Sequence, residues 1–161
     1  MIANQKNIVM LTSINPYTQQ TIAEHEEFGK DQIDKSLERS ENAFQKWKKA
    51  GLENRQAILL KVATLLENDA EKWGDLIAEE MGKTRGEAKA EAIKCAWVCR
   101  HYANDAKVLL QKEAVATEAH KAFVKYEPLG TLLAIMPWNF PFWQVFRFAA
   151  PNLMAGNTVL L

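Results

Sequence analysis

Apolar residues recur at helical spacing through the first two-thirds of the chain and then switch to short unbroken runs. Ile33, Leu37, Phe44 and Trp47 stand at offsets 0, 4, 11 and 14, one face of a helix over Asp31–Lys48. A second helix after Gly51 carries the stripe Ile58, Val62, Leu65 and Leu66. Trp73, Leu76, Ile77 and Met81 keep the helical period up to Gly82, which is placed to end it. Thr84-Arg85-Gly86-Glu87 has the S/T-x-x-E form of a capping box and opens a long helix over Thr84–Leu110. On that helix Ala88, Ala92, Ala96 and Ala103 are small enough to let a neighbour approach closely.

The flanks read differently. Residues 7–28 predict two short strands about the turn Asn15-Pro16-Tyr17-Thr18. Lys112–Lys121 is polar and predicts a loop. Ala122–Glu127 then predicts a strand, Pro128-Leu129-Gly130 a break, and Thr131–Met136 a buried strand. Phe142–Ala155 is an apolar helix ended by Gly156-Asn157, and Thr158–Leu161 starts another strand. Strand, turn, helix and strand make the half-unit of a doubly wound parallel sheet, so the fold class is α/β.

Charge sharpens this division. Of 161 residues, 20 are Lys or Arg and 20 are Asp or Glu, so no global field favours nucleic acid or an anionic membrane. Lys125, Glu127 and Arg147 are the only charges in residues 122–161. The front is therefore a water-facing helical layer, and the back is core material that needs cover on both faces. So short a chain supplies little cover, and the tail reads as the start of a larger domain. Residues 129–146 are uncharged over a length that could span a membrane, but Gly130, Pro137, Asn139 and Pro141 break the run. Two cysteines, Cys95 and Cys99, make no disulfide framework and fit a reducing compartment such as the cytoplasm. No apolar signal-peptide core is present, and no arginine precedes Arg39, against a transit peptide.

Candidate chemistry gathers at Pro137-Trp138-Asn139-Phe140-Pro141, between an apolar strand and an apolar helix. In open α/β sheets ligands bind at the carboxyl ends of strands. Asn139 offers two N–H donors that keep their protons at ordinary pH, as a developing oxyanion requires; the alternative is a turn asparagine bonded to its own backbone. Trp138 is open to stacking on a ligand or to sealing the core. Arg147 is a lone charge on an apolar helix, either a fork for a substrate carboxylate or a snorkelling surface group. Cys95 and Cys99, with His101 nearby, are too few for a closed zinc site and have no base in sequence to activate them, so they read as small core residues. No G-x-G-x-x-G or P-loop can be drawn from the seven glycines.

The chain resembles the N-terminal portion of the aldehyde dehydrogenase superfamily. The resemblance rests on five blocks. They are Ile14-Asn15-Pro16-Tyr17-Thr18, Glu79-Glu80-Met81-Gly82-Lys83, Glu127-Pro128-Leu129-Gly130, Pro137-Trp138-Asn139-Phe140-Pro141 and Ala155-Gly156-Asn157-Thr158-Val159. It implies an oxidoreductase using NAD or NADP, with an aldehyde dehydrogenase-like fold of which this is the N-terminal part only. Residues 1–121 would be the hairpin and helical layer, 122–130 a strand of the oligomerisation region, and 131–161 the first β-α-β of a Rossmann-type core without the usual glycine fingerprint. The resemblance assigns oxyanion stabilisation to Asn139, the cofactor wall to Ile135, Met136, Pro137, Trp138 and Asn139, and the substrate side to Phe140 and Arg147. An arginine at the place of Arg147 marks succinate-semialdehyde dehydrogenases, where it binds the far carboxylate. The family's nucleophilic cysteine, general-base glutamate and ribose-contacting lysine fall beyond Leu161. The expected partners are a small aldehyde and, for the whole protein, further copies of itself, with no nucleic acid or membrane. A second reading is a non-catalytic helical interaction module complete at 161 residues, presenting the amphipathic helices between Asp31 and Leu110 to a partner.

Overall fold

The computed structural model describes residues 10–161. Residues 7–9 of the first expected strand lie outside the described residues. The hairpin follows as β1 (Met10–Ile14) and β2 (Thr21–Glu26), paired antiparallel with a register shift at Ser13/Ile14. Asn15 Oδ1 accepts the Tyr17 and Thr18 amides at 2.9 and 3.0 Å, which closes the turn as an Asx turn.

Four helices follow: α1 (Lys30–Trp47), α2 (Leu52–Asn68), α3 (Ala70–Met81) and α4 (Arg85–Leu109). The expected N-cap of α4 is present, with Thr84 Oγ1 accepting the Glu87 amide at 3.4 Å and donating to the Glu87 carboxylate at 2.8 Å. Gly82 ends α3 in the left-handed region (φ 70°), and its Cα faces Pro16 so closely that a Cβ would meet the ring at 3.0 Å.

Helix α4 is the centre of the packing and lies against α2 and α3. Its small residues permit this: Ala88, Ala92, Ala96 and Ala103 are all buried, as are Cys95 and Cys99. At Gly74 a Cβ would meet the α4 backbone at Lys89 N, 3.0 Å away, so α3 needs a glycine there to sit this close. The α2 stripe needs correction. Leu59, Ala63 and Leu66 face α4, whereas Ile58 and Leu65 are exposed. The true face is rotated from the expected one and shares only Leu66 with its buried residues. The stripe of α1 is likewise only partly covered: Phe44 is buried, while Ile33 and Leu37 are about half exposed at 47% and 49%.

The expected strand at Ala122–Glu127 shrinks to β4 (Phe123–Val124). It pairs antiparallel with β3 (Glu113–Ala114), which lies inside the segment expected to be loop. The polar sequence of β3 carried no alternating pattern, because the hairpin is exposed on both strands.

Strand β5 (Thr131–Leu133), helix α5 (Pro141–Ala155) and strand β6 (Thr158–Leu160) form the expected β-α-β, with β5 and β6 parallel and α5 packed on α4. Regular β5 stops before Met136, although Ala134 N still donates to Leu160 O at 2.8 Å. It is also not fully buried. Ala134 is enclosed, but Leu133 and Ile135 are 67% and 84% exposed, since among the described residues only β6 flanks β5. No helix among the described residues is long and apolar enough to cross a membrane.

Candidate functional site: the turn that opens α5

Pro137, Trp138, Asn139 and Phe140 form an exposed turn between β5 and α5. Pro141 is the first residue of α5, where a missing N–H costs nothing and the ring presets a helical φ. Among the described residues the Asn139 carboxamide makes no hydrogen bond. The turn-asparagine alternative therefore does not hold, and Asn139 is exposed. Trp138 is 76% exposed and does not seal the core; with Leu76, Met81 and Phe142 it lines a cleft of about 420 Å³ against α3. Ile135, at the carboxyl end of β5, is similarly exposed, and Met136 is half-buried. Together Ile135, Pro137 and Trp138 leave an exposed apolar shelf in the segment that carries Asn139. Arg147 is exposed on α5 and forms no ion pair among the described residues.

The start of α5 is met by Glu91 on α4, which nothing in its local sequence singled out. Its carboxylate is buried, with the residue only 4% exposed. Oε1 accepts the amides of both Phe142 and Trp143 at 3.0 Å, and Oε2 pairs with Lys83 Nζ. Those amides are first-turn donors that a helix cannot satisfy internally, and a carboxylate also favours the positive end of the helix dipole. Lys83 Nζ in turn lies 3.6 Å from the centre of the Phe140 ring. The blocks at Lys83 and at Asn139 are thus joined through Glu91.

The other end of the β-α-β is closed by Asn157. Its Oδ1 accepts the Leu129 and Gly130 amides at 2.6 and 3.1 Å, tying the Gly156-Asn157 block to the Pro128-Leu129-Gly130 break. Thr131 and Thr158 join their hydroxyls across the parallel pair at 2.8 Å. Trp47 Nε1 and Arg55 Nε donate to the Leu153 and Met154 carbonyls at 2.9 and 3.1 Å. A cavity of about 540 Å³ lies at this end, between α1, α2 and Leu153. It is almost wholly apolar, away from Asn139, and offers no reacting group.

The cysteines are core residues, as expected from sequence. Burial, helped by the Glu91 charge one turn earlier, pushes the Cys95 thiol up to about 12, and burial does the same to Cys99.

A model of the aldehyde dehydrogenase family matches residues 2–161. The chain belongs to the aldehyde dehydrogenase family. It is similar to a probable NADP(+) succinate-semialdehyde dehydrogenase of Synechocystis sp., at 45% identity over 94% of this chain and 33% of that protein. A succinate-semialdehyde dehydrogenase of Mycobacterium bovis is 42% identical over 94% of this chain and 34% of its own length. Among solved structures, the succinic semialdehyde dehydrogenase of Streptococcus pyogenes, in complex with NADP+, superposes with a TM-score of 0.87 at 33% identity, over 92% of this chain and 33% of that one. The fold is thus that of the aldehyde dehydrogenases, as the five blocks led one to expect. The chain spans about a third of the length of the curated relatives it matches.

Proposed function

We propose that the whole protein is an NAD(P)-dependent aldehyde dehydrogenase that oxidises succinate semialdehyde, or a similar aldehyde with a distal carboxylate, to the acid. The carrying observation is Asn139, whose carboxamide stands free and exposed at the carboxyl end of β5, ahead of a helix clamped by Glu91. The names of the relatives, succinate-semialdehyde dehydrogenases, support the choice of aldehyde, and their use of NADP(+) supports a nicotinamide cofactor.

In this reading a cysteine thiolate beyond Leu161 adds to the aldehyde carbon, and the carbonyl oxygen gains the negative charge as the thiohemiacetal forms. An Asn139 N–H donates to that oxygen. Such a donor is aimed at charge that develops in the transition state, so it acts mainly on turnover rather than on binding. The nicotinamide, when bound, supplies the acceptor for the hydride that leaves the same carbon. Ile135, Met136, Pro137, Trp138 and Asn139 hold it against the shelf, and Phe140 walls the substrate side. Arg147 takes the far carboxylate as a two-pronged donor. A glutamate beyond Leu161 then activates water to release the acid.

Residues 1–121 supply the hairpin and helical layer, and 131–161 the first β-α-β of a Rossmann-type cofactor core. Residues 122–130 supply an oligomerisation strand for a homo-oligomer in the cytoplasm, a reading supported by the half-exposed Phe123 and Val124 on a two-residue strand. With Cys95 and Cys99 buried and protonated, the 161-residue chain alone is expected to turn over no aldehyde. The test is to supply the purified whole protein with NADP+ or NAD+ and either succinate semialdehyde or butanal. One succinate per reduced nicotinamide, with butanal far slower, is expected. No oxidation of any aldehyde overturns the reading, and equal rates on both aldehydes overturn the role of the carboxylate.

A further inference from the structure

We infer that Glu91 is the positioning residue of the oxyanion donor, holding the Asn139 turn from a helix 48 residues upstream. The inference rests on the reading of Asn139 given above. A buried carboxylate costs several kcal/mol unless it is fully paired. Glu91 is so paired, with Lys83 on one oxygen and two backbone amides on the other.

The amides it takes are the ones the turn leaves over. Pro141 has no N–H to offer, and Gln144 N already donates to Phe140 O at 3.0 Å. The amides of Phe142 and Trp143 therefore have no partner within α5, and one oxygen of Glu91 satisfies both. Asn139 itself is held by no bond of its own side chain. Its place is set by the fixed φ of Pro137 and Pro141 and by where α5 begins, and Glu91 fixes where α5 begins. Lys83 completes the clamp by resting its ammonium on the Phe140 ring, the residue between Asn139 and Pro141. A displacement of about 1 Å at a reacting centre can cost on the order of a hundredfold in rate, so a clamp on amides three and four residues from the donor has the leverage to matter.

The test uses the whole enzyme. Glu91→Asp draws the carboxylate back by one methylene, and Glu91→Gln keeps an acceptor at full length without the charge. Glu91→Asp is expected to lower kcat by about ten- to a hundredfold. Glu91→Gln should recover most of that loss. Combining Glu91→Asp with Asn139→Ala should give an enzyme no slower than Asn139→Ala alone, because Glu91 acts through Asn139. An unchanged kcat in Glu91→Asp, or a double variant whose loss is the product of the two single losses, overturns the inference.

Amide exchange at Phe142 and Trp143 gives a reading independent of turnover. Both amides should exchange slowly in the parent protein and at least about tenfold faster in Glu91→Asp; equal exchange in the two overturns the inference. If the parent oxidises no aldehyde, it is the functional reading that fails, and amide exchange alone then decides whether Glu91 fixes the turn.

Discussion

At its carboxyl end α5 hands the Leu153 and Met154 carbonyls to Trp47 and Arg55, and the next residues, Gly156, Asn157 and Thr158, are buried. At its amino end one carboxylate from α4 takes the free amides, and the four residues before the helix all face solvent. Both ends find partners for orphan backbone groups, but only at the carboxyl end is the asparagine side chain also paired. The Asn157 carboxamide accepts two amides, whereas the chemically equivalent group of Asn139 accepts and donates nothing among the described residues. Two asparagines in one β-α-β thus have opposite duties. One is used up in holding backbone together, and the other, unpaired among the described residues, is the one proposed to meet the oxyanion.

This contrast can be broken from either end. Asn157→Ala strands two part-buried amides and should cost roughly 2 kcal/mol or more, seen as a lower Tm of the whole protein with KM values unchanged. A changed KM with an unchanged Tm would reverse the assignment. Arg147→Ala should do the opposite. Losing a charge-assisted pair predicts about a tenfold rise in KM for carboxylate-bearing aldehydes, with butanal kinetics and Tm unaffected; equal loss on both aldehydes would make Arg147 structural. Arg55→Met removes one donor to the Met154 carbonyl and should cost about 1 kcal/mol in stability, with no effect on specificity. The smallest effect is expected at the thiols. With both pushed up to about 12, Cys95 and Cys99 should resist iodoacetamide in the folded protein even at about pH 9, and both should label after denaturation. Labelling of either in the folded protein would contradict their burial.

Local signals carried a good part of the fold. The spacing of Ile33 to Trp47 located α1, and the Thr84 capping box located the start of α4 within a residue. Gly82 and Gly156 marked the ends of α3 and α5, because both helices finish in a left-handed residue. The β-α-β was legible because its apolar runs are broken by glycine and proline. The α2 face was not, since Ile58 and Leu65 look as apolar as Leu59 and Ala63, and only the position of α4 separates them. Strand β3 was missed because two exposed residues leave no pattern to read.

At the site, Asn139, Trp138 and Arg147 stood out by their unusual neighbours in sequence. Glu91 did not. It is one of 20 acidic residues, on a helix with several others, and its partners lie 51 and 52 residues away. A carboxylate that caps another element carries no local signature. The available hint was at the other end of the contact: a helix opening Phe140-Pro141-Phe142-Trp143 has no side-chain cap of its own and must borrow one.

The most direct measurement is the steady-state turnover of the whole protein and its Asn139→Ala variant on succinate semialdehyde at saturating cofactor. A free amide aimed at the developing oxyanion predicts a kcat lower by about a hundredfold or more, with KM for the aldehyde little changed. A kcat equal to that of the parent would remove Asn139 from the chemistry and contradict the account.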